Sequence, residues 1–438
     1  MSNPVTLRAK PRCRIDSVRF SPDGRHIAWI ECSVRYELVC CEVETGRQLF
    51  RRSVGFHWNA LAWAGNDTLA AWAEKRVSRD DDSEPWGVEF YSLPKGKITA
   101  RHTLPAEVSR QDSPHLRGAS DVARVLVATT RSHRRGESRL GEPGRGWIVD
   151  ASGGSVVRRV DVASAIGRDA EGPLSLWAFS PDGERVAVSS FVGSDRDDDV
   201  LHCFAPEGVS LMAKGRLHQP EWIDARTVLT RGAVANEQTI SVTCVGEDTP
   251  RFRSRSPTLW AFGAVGTEVA LYDAMTSEFK LRSLDGEERA IGKRAPFDAE
   301  WASPGYSFLA ANIDGVTRVL LGSAEKLAPA QREGVPGTEG DESPPMRGIY
   351  LSDALTGDRV LVHGVDAIHD RDLHGLFNPV EFTVDPSGSS LAIMVRRSTG
   401  KKQYSPQHDH LVVCDLAAVT RSLEPRKAAK KPRAKAGD

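Results

Sequence analysis

The sequence lacks the features that mark membrane-spanning and secreted proteins. No run approaches the ~20 apolar residues that a bilayer-spanning helix needs. Residues 1–14 are polar and basic, without the apolar centre of a secretory signal. The net charge is −1, so no overall field favours nucleic acid or a membrane surface. We therefore expect a cytoplasmic protein that does not bind membranes.

Cysteine is scarce and odd in number. The sequence contains Cys13, Cys32, Cys40, Cys41, Cys203, Cys244 and Cys414. Most of them sit inside apolar, strand-like runs, which favours reduced thiols packed in a core over a disulfide framework. Cys40 and Cys41 are adjacent in one such run, and successive side chains of a strand point to opposite faces. We expect at most one of this pair to face the core.

The motifs of the common hydrolases and nucleotide-binding enzymes are absent as well. The sequence has no Gly-x-Ser-x-Gly elbow for a nucleophilic serine and no Gly-x-x-x-x-Gly-Lys phosphate loop. It also has no His-Glu-x-x-His pair for zinc. These absences predict a protein that is not an enzyme and needs no cofactor.

What the sequence does contain is a repeated hairpin. Residues 20–30 read Phe-Ser-Pro-Asp-Gly followed by an apolar run, and residues 179–188 repeat that order almost letter for letter. Residues 384–393 are a looser copy. One hairpin at the start, middle and end of a chain indicates a repeat architecture.

Around this hairpin the sequence divides into units of four short strands, with few helix signals. In the first unit the predicted strands are 15–20, 25–32, 36–43 and 48–54. We count eight such openings, of which the seventh is placed at Asp298–Trp301 with Ser303-Pro304-Gly305 as its turn. Closure with seven blades is the alternative.

A four-stranded sheet has two apolar faces, and stacking copies around an axis buries both. The predicted fold is therefore all-β, a single β-propeller of seven or eight four-stranded blades over residues 1–424. Residues 4–9 would close the ring by pairing with the last blade. Residues 324–347 are rich in Pro, Gly and Glu and predict a flexible insertion. Residues 425–438 predict a disordered basic tail.

The Phe-Ser-Pro-Asp-Gly hairpins resemble the repeats of WD40-like and TolB-like β-propellers over about residues 15–424. The Trp-Asp ending of WD40 repeats is missing, since the matching positions read Val149-Asp150, Tyr272-Asp273 and Cys414-Asp415. The resemblance implies a propeller fold without specifying a partner.

A rigid propeller without catalytic motifs favours a non-catalytic scaffold that binds other protein subunits in a larger assembly. Two tryptophans at strand edges or loops are candidate aromatic anchors for a partner, and a long basic loop is a second candidate contact. These predicted partner-binding residues are Trp58, Trp86, Arg134, Arg135 and Arg139.

Two other functions stay open. One is a metal- or small-ligand-binding propeller, an enzyme or a sensor, that uses the His- and Asp-rich segment 363–374. Its weak candidate ligands, with those of an acidic loop, are His363, His369, His374, Asp195, Asp197 and Asp199. The other is association with nucleic acid or an acidic partner through the basic tail. The tail cations are Arg426, Lys427, Lys430, Lys431, Arg433 and Lys435.

Overall fold

The structure is a computed structural model of the 438-residue chain. It describes residues 5–10, 13–33, 35–55, 61–73, 87–105, 112–131, 144–166, 175–190, 200–214, 220–234, 237–247, 249–294, 308–313, 316–326, 346–364, 381–395 and 410–423. These residues form β-strands arranged in eight separate four-stranded antiparallel sheets, together with two short helices. The predicted all-β propeller is confirmed, and the ring has eight blades.

Consecutive strands form each of the first seven blades. Blades 1 and 2 contain β2 (Arg14–Phe20), β3 (His26–Cys32), β4 (Tyr36–Glu42), β5 (Gln48–Val54), β6 (Leu61–Trp63), β7 (Thr68–Trp72), β8 (Gly87–Ser92) and β9 (Lys97–Thr103). Blades 3 and 4 contain β10 (Asp112–Gly118), β11 (Arg124–Arg131), β12 (Arg145–Asp150), β13 (Val156–Asp161), β14 (Ser175–Phe179), β15 (Val186–Ser190), β16 (Val200–Ala205) and β17 (Gly208–Lys214). Helix α1 (Val162–Ile166) lies between these two blades in the chain.

The second half of the ring follows the same order. Blades 5 and 6 contain β18 (Pro220–Trp222), β19 (Thr227–Val234), β20 (Glu237–Cys244), β21 (Phe252–Ser256), β22 (Leu259–Val265), β23 (Glu268–Asp273), β24 (Glu278–Ser283) and β25 (Glu288–Lys293). Blade 7 contains β26 (Phe308–Ile313), β27 (Val316–Lys326), β28 (Met346–Asp353) and β29 (Arg359–Gly364). Blade 8 contains β30 (Glu381–Val384), β31 (Ser390–Val395), β32 (His410–Asp415) and β1 (Val5–Arg8). Helix α2 (Leu416–Arg421) follows β32.

Blade 8 joins the two ends of the chain. Strand β1 pairs antiparallel with β32, with Val5 opposite Val413 and Leu7 opposite Leu411. Leu7 is buried in the apolar layer between blades 8 and 1. The outermost strand of the last blade therefore comes from the segment where the sequence suggested a closing strand.

The repeated hairpin is specified by its own side chains. In the first copy Ser21 Oγ donates to Asp23 Oδ1 at 2.6 Å, and Ser21 Oγ accepts from His26 N at 3.0 Å. The second copy repeats both bonds, from Ser180 to Asp182 at 2.5 Å and from Arg185 N to Ser180 at 2.8 Å. The glycine that follows each aspartate has φ near +70°, a conformation that favours glycine. Ser-Pro-Asp-Gly thus encodes the tight turn between the first two strands.

The core consists of eight apolar layers, one between each pair of neighbouring blades. One layer, for example, joins Ile30 and Cys40 of blade 1 to Trp63 and Leu69 of blade 2. Cys40 lies in this layer, whereas Cys41 lies in the layer between blades 8 and 1. The expectation that at most one of these cysteines faces the core is wrong, because a blade buries both of its faces.

Blade 7 is described from Phe308–Ile313 onward, and its predicted opening at Asp298–Trp301 lies outside the described residues. Strand β27 continues to Lys326 and β28 begins at Met346, so both ends of the predicted insertion 324–347 belong to strands. Residues 327–345 of that insertion also lie outside the described residues.

No helix within the described ranges is long and apolar enough to cross a membrane.

Candidate functional site

Most residues that the sequence marked as candidate sites lie outside the described residues. They are Trp58, Trp86, Arg134, Arg135, Arg139, His369, His374, Asp195, Asp197, Asp199, Arg426, Lys427, Lys430, Lys431, Arg433 and Lys435. His363 lies on β29, and the structure describes its backbone but not its side chain. The roles assigned to these residues stay predictions.

The thiols of the described residues are packing groups. All seven are free, and six are buried, with Cys32 partly exposed. Burial raises the pKa of Cys203 to about 11 and that of Cys41 and Cys414 to about 12. A thiol that keeps its proton at neutral pH is a poor nucleophile and a poor metal ligand. Across the described ranges, no group of three or more His, Cys, Asp or Glu residues could hold a metal ion.

Three histidines are also covered by the blades. Burial lowers the pKa of His26, His102 and His202 below the ordinary value of 6.5. His202 is 8% exposed, lies on β16 near the ring of Phe204, and donates or accepts no bond at Nδ1 within the described part of the chain. Burial therefore favours the neutral form of these three side chains in the folded protein.

We expect the protein to lose stability as the pH falls from about 7.5 to about 5.5. A histidine with a lowered pKa in the folded state contributes its full stability above its unfolded pKa of about 6.5. Below that value the unfolded chain binds more protons, and stability declines. Urea unfolding of the wild type and His202→Gln at both pH values tests this. The loss on acidification should be smaller in His202→Gln, and an equal loss in the two proteins would contradict the role of His202.

Exposed apolar side chains single out one part of the rim. The large hydrophobic residues that are exposed within the described chain are Ile98, Val156, Val157, Val209, Leu211, Met275 and Leu361. All but Met275 lie on the outermost strand of a blade, and the first five lie on the outer strands of blades 2, 3 and 4. Exposed apolar residues grouped on neighbouring blades are candidates for a surface that binds other proteins.

Strand β17 of blade 4 carries two of these exposed apolar residues. Val209 and Leu211 are 49% and 45% exposed and alternate along the strand, so both side chains leave the same face. Residues 208–213 carry no charged side chain, and Lys214 is the first. Outer strands usually carry charges or proline that prevent pairing with another chain, as Arg51 and Arg52 do on β5. β17 therefore offers an unprotected edge.

Blades 3 and 4 hold this surface in a fixed arrangement. Arg158 of β13 donates from Nη2 to the carbonyl of Phe204 in blade 4 at 3.3 Å. Arg124 donates from Nη1 to the carbonyl of Gly183 at 3.3 Å, and the main chain of Asp121 donates to Pro181 at 3.0 Å. We define the "apolar rim" as Val156 and Val157 of β13 with Val209 and Leu211 of β17. The two strands that carry it belong to directly linked blades.

The apolar rim was missed by sequence reasoning. The sequence signal for it is the run Val209, Ser210 and Leu211, in which apolar residues alternate with an uncharged one on the last strand of a repeat unit. Such a run is also what a buried strand contains, so only the blade order shows that it lies at the edge.

Comparisons with known proteins support the propeller fold. No protein-family model and no curated protein matches the chain. Among solved structures, the Dos1 propeller shares 10% identity with a TM-score of 0.51, covering 94% of this chain and 94% of that one. U3-55K shares 10% identity with a TM-score of 0.42, covering 94% and 98%. A prolyl endopeptidase shares 10% identity with a TM-score of 0.45, covering 71% of this chain and only 46% of that enzyme.

The chain is thus an eight-bladed β-propeller, which confirms the fold that the repeated hairpins predicted. At these identities the likeness concerns architecture alone.

Proposed function

We propose that this protein is a non-catalytic platform that binds a protein partner through the apolar rim of blades 3 and 4. The observation that carries the proposal is the exposure of Val209 and Leu211 on an uncharged outermost strand. Binding would bury these side chains and add hydrogen bonds to the main chain of the outer edge.

The geometry favours an extended segment of the partner. Among the described strands, none pairs with the outer edge of β17, where its main-chain N–H and C=O groups face outward. A partner that adds a strand here gains main-chain hydrogen bonds, while apolar residues at alternate positions give specificity. Val209 and Leu211 would contact the alternate side chains of that added strand.

The double variant Val209→Lys/Leu211→Lys is expected to lose the partner without losing the fold. Two charges on the edge leave the inward-facing Met212 untouched and oppose strand addition. Proteins retained from an extract of the native host by the wild type, the double variant and Met275→Lys can be quantified by mass spectrometry. Met275 is 79% exposed in blade 6, so Met275→Lys makes the same type of change away from the rim.

At least one stoichiometric partner should be held by the wild type and by Met275→Lys, and reduced at least about tenfold in the double variant. Equal retention of every partner by all three proteins would contradict binding at the rim. Sedimentation of the purified protein supplies a second measurement, because a self-association that the double variant abolishes would make the partner a second copy of this chain.

A further inference from the structure

The first strands of the blades lie around the axis of the ring. β2 contacts β6, β6 contacts β10, and β10 contacts β14. In a propeller these innermost strands line the central channel. A side chain on one of these strands that stays exposed or partly exposed, outside the inter-blade layers, therefore lies at the channel.

Two arginines occupy the same position on two of these strands. Ser21, two places after Arg19, donates its main-chain N–H to the carbonyl of His26 across the first hairpin of blade 1, at 2.9 Å. Ala119, two places after Arg117, makes the same bond to the carbonyl of Arg124 in blade 3, at 3.0 Å. Blade 2, which lies between them, has Ala62 at this position, two places before Ala64, whose N–H donates to the carbonyl of Thr68 at 2.9 Å. Ala62 is buried in the layer between blades 2 and 3, so blade 2 contributes no charged group at this position.

A β-bulge directs the first of these arginines. The register of β2 shifts between Asp16 and Arg19, and Ser17 adopts φ of +55°, which is uncommon for a residue other than glycine. Bulges re-aim the side chains that follow them and occur next to functional sites. Arg19 remains exposed to solvent even though it lies on the innermost strand.

Neither guanidinium has a carboxylate partner among the described residues. Their side-chain hydrogen bonds go to main-chain carbonyls, from Arg19 Nη1 to Val18 O at 2.9 Å and from Arg117 Nη1 to Leu116 O at 3.0 Å. Asp16 lies near enough for its charge to act on Arg19, but its carboxylate accepts from the N–H of Ser17 at 2.8 Å. Most donor positions of the two forks are left for a ligand.

The two positive charges also act on each other. Loss of hydration, followed by the charge of Arg19, lowers the pKa of Arg117 to about 10, so Arg117 stays charged at pH 7. The side chain of Arg19 is reached by solvent but surrounded by the blades, and the resulting partial loss of hydration lowers its pKa as well. Arginine keeps its proton in proteins, so both side chains act as cations. Two unpaired cations held in a protein-lined channel favour an anion that accepts hydrogen bonds from both.

We propose that Arg19 and Arg117 form a binding site in the central channel for a doubly charged oxyanion of the phosphate class. A phosphate carries about −1.5 to −2 charges at pH 7 and three strong acceptor oxygens, which match two guanidinium forks. A carboxylate carries a single charge and leaves one arginine without a counter-charge. This site is independent of the apolar rim, which lies at the outer edge of the ring.

Titration of the full-length protein with inorganic phosphate, followed by calorimetry at constant ionic strength, tests the site. The wild type should bind phosphate saturably, with one site per chain. Arg19→Gln and Arg117→Gln should each weaken binding at least about tenfold, because each removes a charge-assisted pair of bonds. Arg253→Gln removes an exposed positive charge from the outer strand of blade 5 and should leave the affinity unchanged.

Arg19→Lys and Arg117→Lys keep the positive charge but lack the planar guanidinium that donates two parallel hydrogen bonds to an oxyanion. Both variants should therefore bind phosphate more weakly than the wild type while the charge in the channel is unchanged. Denaturation midpoints of all variants show whether the ring is intact. The proposal would be overturned if the wild type gave no saturable binding. Acetate binding as tight as phosphate, or an equal loss in Arg253→Gln, would overturn it too.

Discussion

Gly118→Ala is expected to destabilise the propeller by about 3 kcal/mol or more. A Cβ atom at Gly118 would lie 1.5 Å from the carbonyl oxygen of Trp63 and 2.6 Å from its carbonyl carbon. Both atoms belong to the main chain of blade 2, so no side-chain rotation relieves the overlap. The indole of Trp63 in turn donates from Nε1 to the carbonyl of Arg19 in blade 1 at 3.2 Å. The added methyl group therefore disturbs three blades.

Urea unfolding measures this loss against a matched control in the same blade. A Cβ atom at Gly153 meets nothing within 4 Å, and the residue is exposed at a turn. Gly153→Ala should change the free energy of unfolding by no more than about 0.5 kcal/mol. Equal free energies of unfolding for the two variants would show that blades 2 and 3 do not approach each other this closely at Gly118.

Glu31→Ala is expected to cost about 3 kcal/mol, because it removes the buried counter-charge of Arg51 and leaves only the partly exposed Glu37, at 3.1 Å, to pair with it. The Glu31 side chain is 1% exposed, and its carboxylate accepts from Arg51 Nη1 at 2.6 Å and from Nη2 at 3.0 Å. It also accepts from the indole of Trp29 and from the main chain of Lys10, each at 3.3 Å. The Lys10 contact attaches the segment after the closing strand to blade 1.

The pair of Glu268 with Arg289 provides a control with the same two-bond geometry at the surface. Arg289 donates to the two carboxylate oxygens of Glu268 at 3.0 and 2.8 Å, with the arginine side chain 55% exposed. An exposed pair of this kind contributes at most about 1 kcal/mol. Chemical unfolding should therefore rank Glu31→Ala far below Glu268→Ala in stability. Similar losses would show that burial does not decide the effect.

The repeated hairpin is a part of the fold that the sequence alone predicts. Ser21, Asp23 and Gly24 make their contacts within a few residues of one another, so local chemistry alone specifies the turn. The order of four strands per unit follows from the same local signals. Where the full Ser-Pro-Asp-Gly turn is absent, as in blade 7, nothing local distinguishes a first strand from a second, and only the pairing of β26 to β29 gives the order.

The sites depend on contacts between distant segments, and these are not written in local patterns. Arg19 and Arg117 share a position only after blades 1, 2 and 3 are placed side by side. Gly118 reads as an ordinary strand glycine until Trp63 is packed against it. Val209 and Leu211 become an exposed edge only once β17 is known to end its blade.

The joining of β1 to β32 sets the order in which this molecule can be completed during synthesis. Each inner layer needs only two successive repeats, so the blades can assemble one after another as they leave the ribosome. The final seam needs Val5 and Val413, which lie in the first and last strands of the ring, so it can close only after the other blades have been made. Until then Leu7 has no partner strand, and the nascent ring stays open at an apolar edge that a chaperone would be expected to shield.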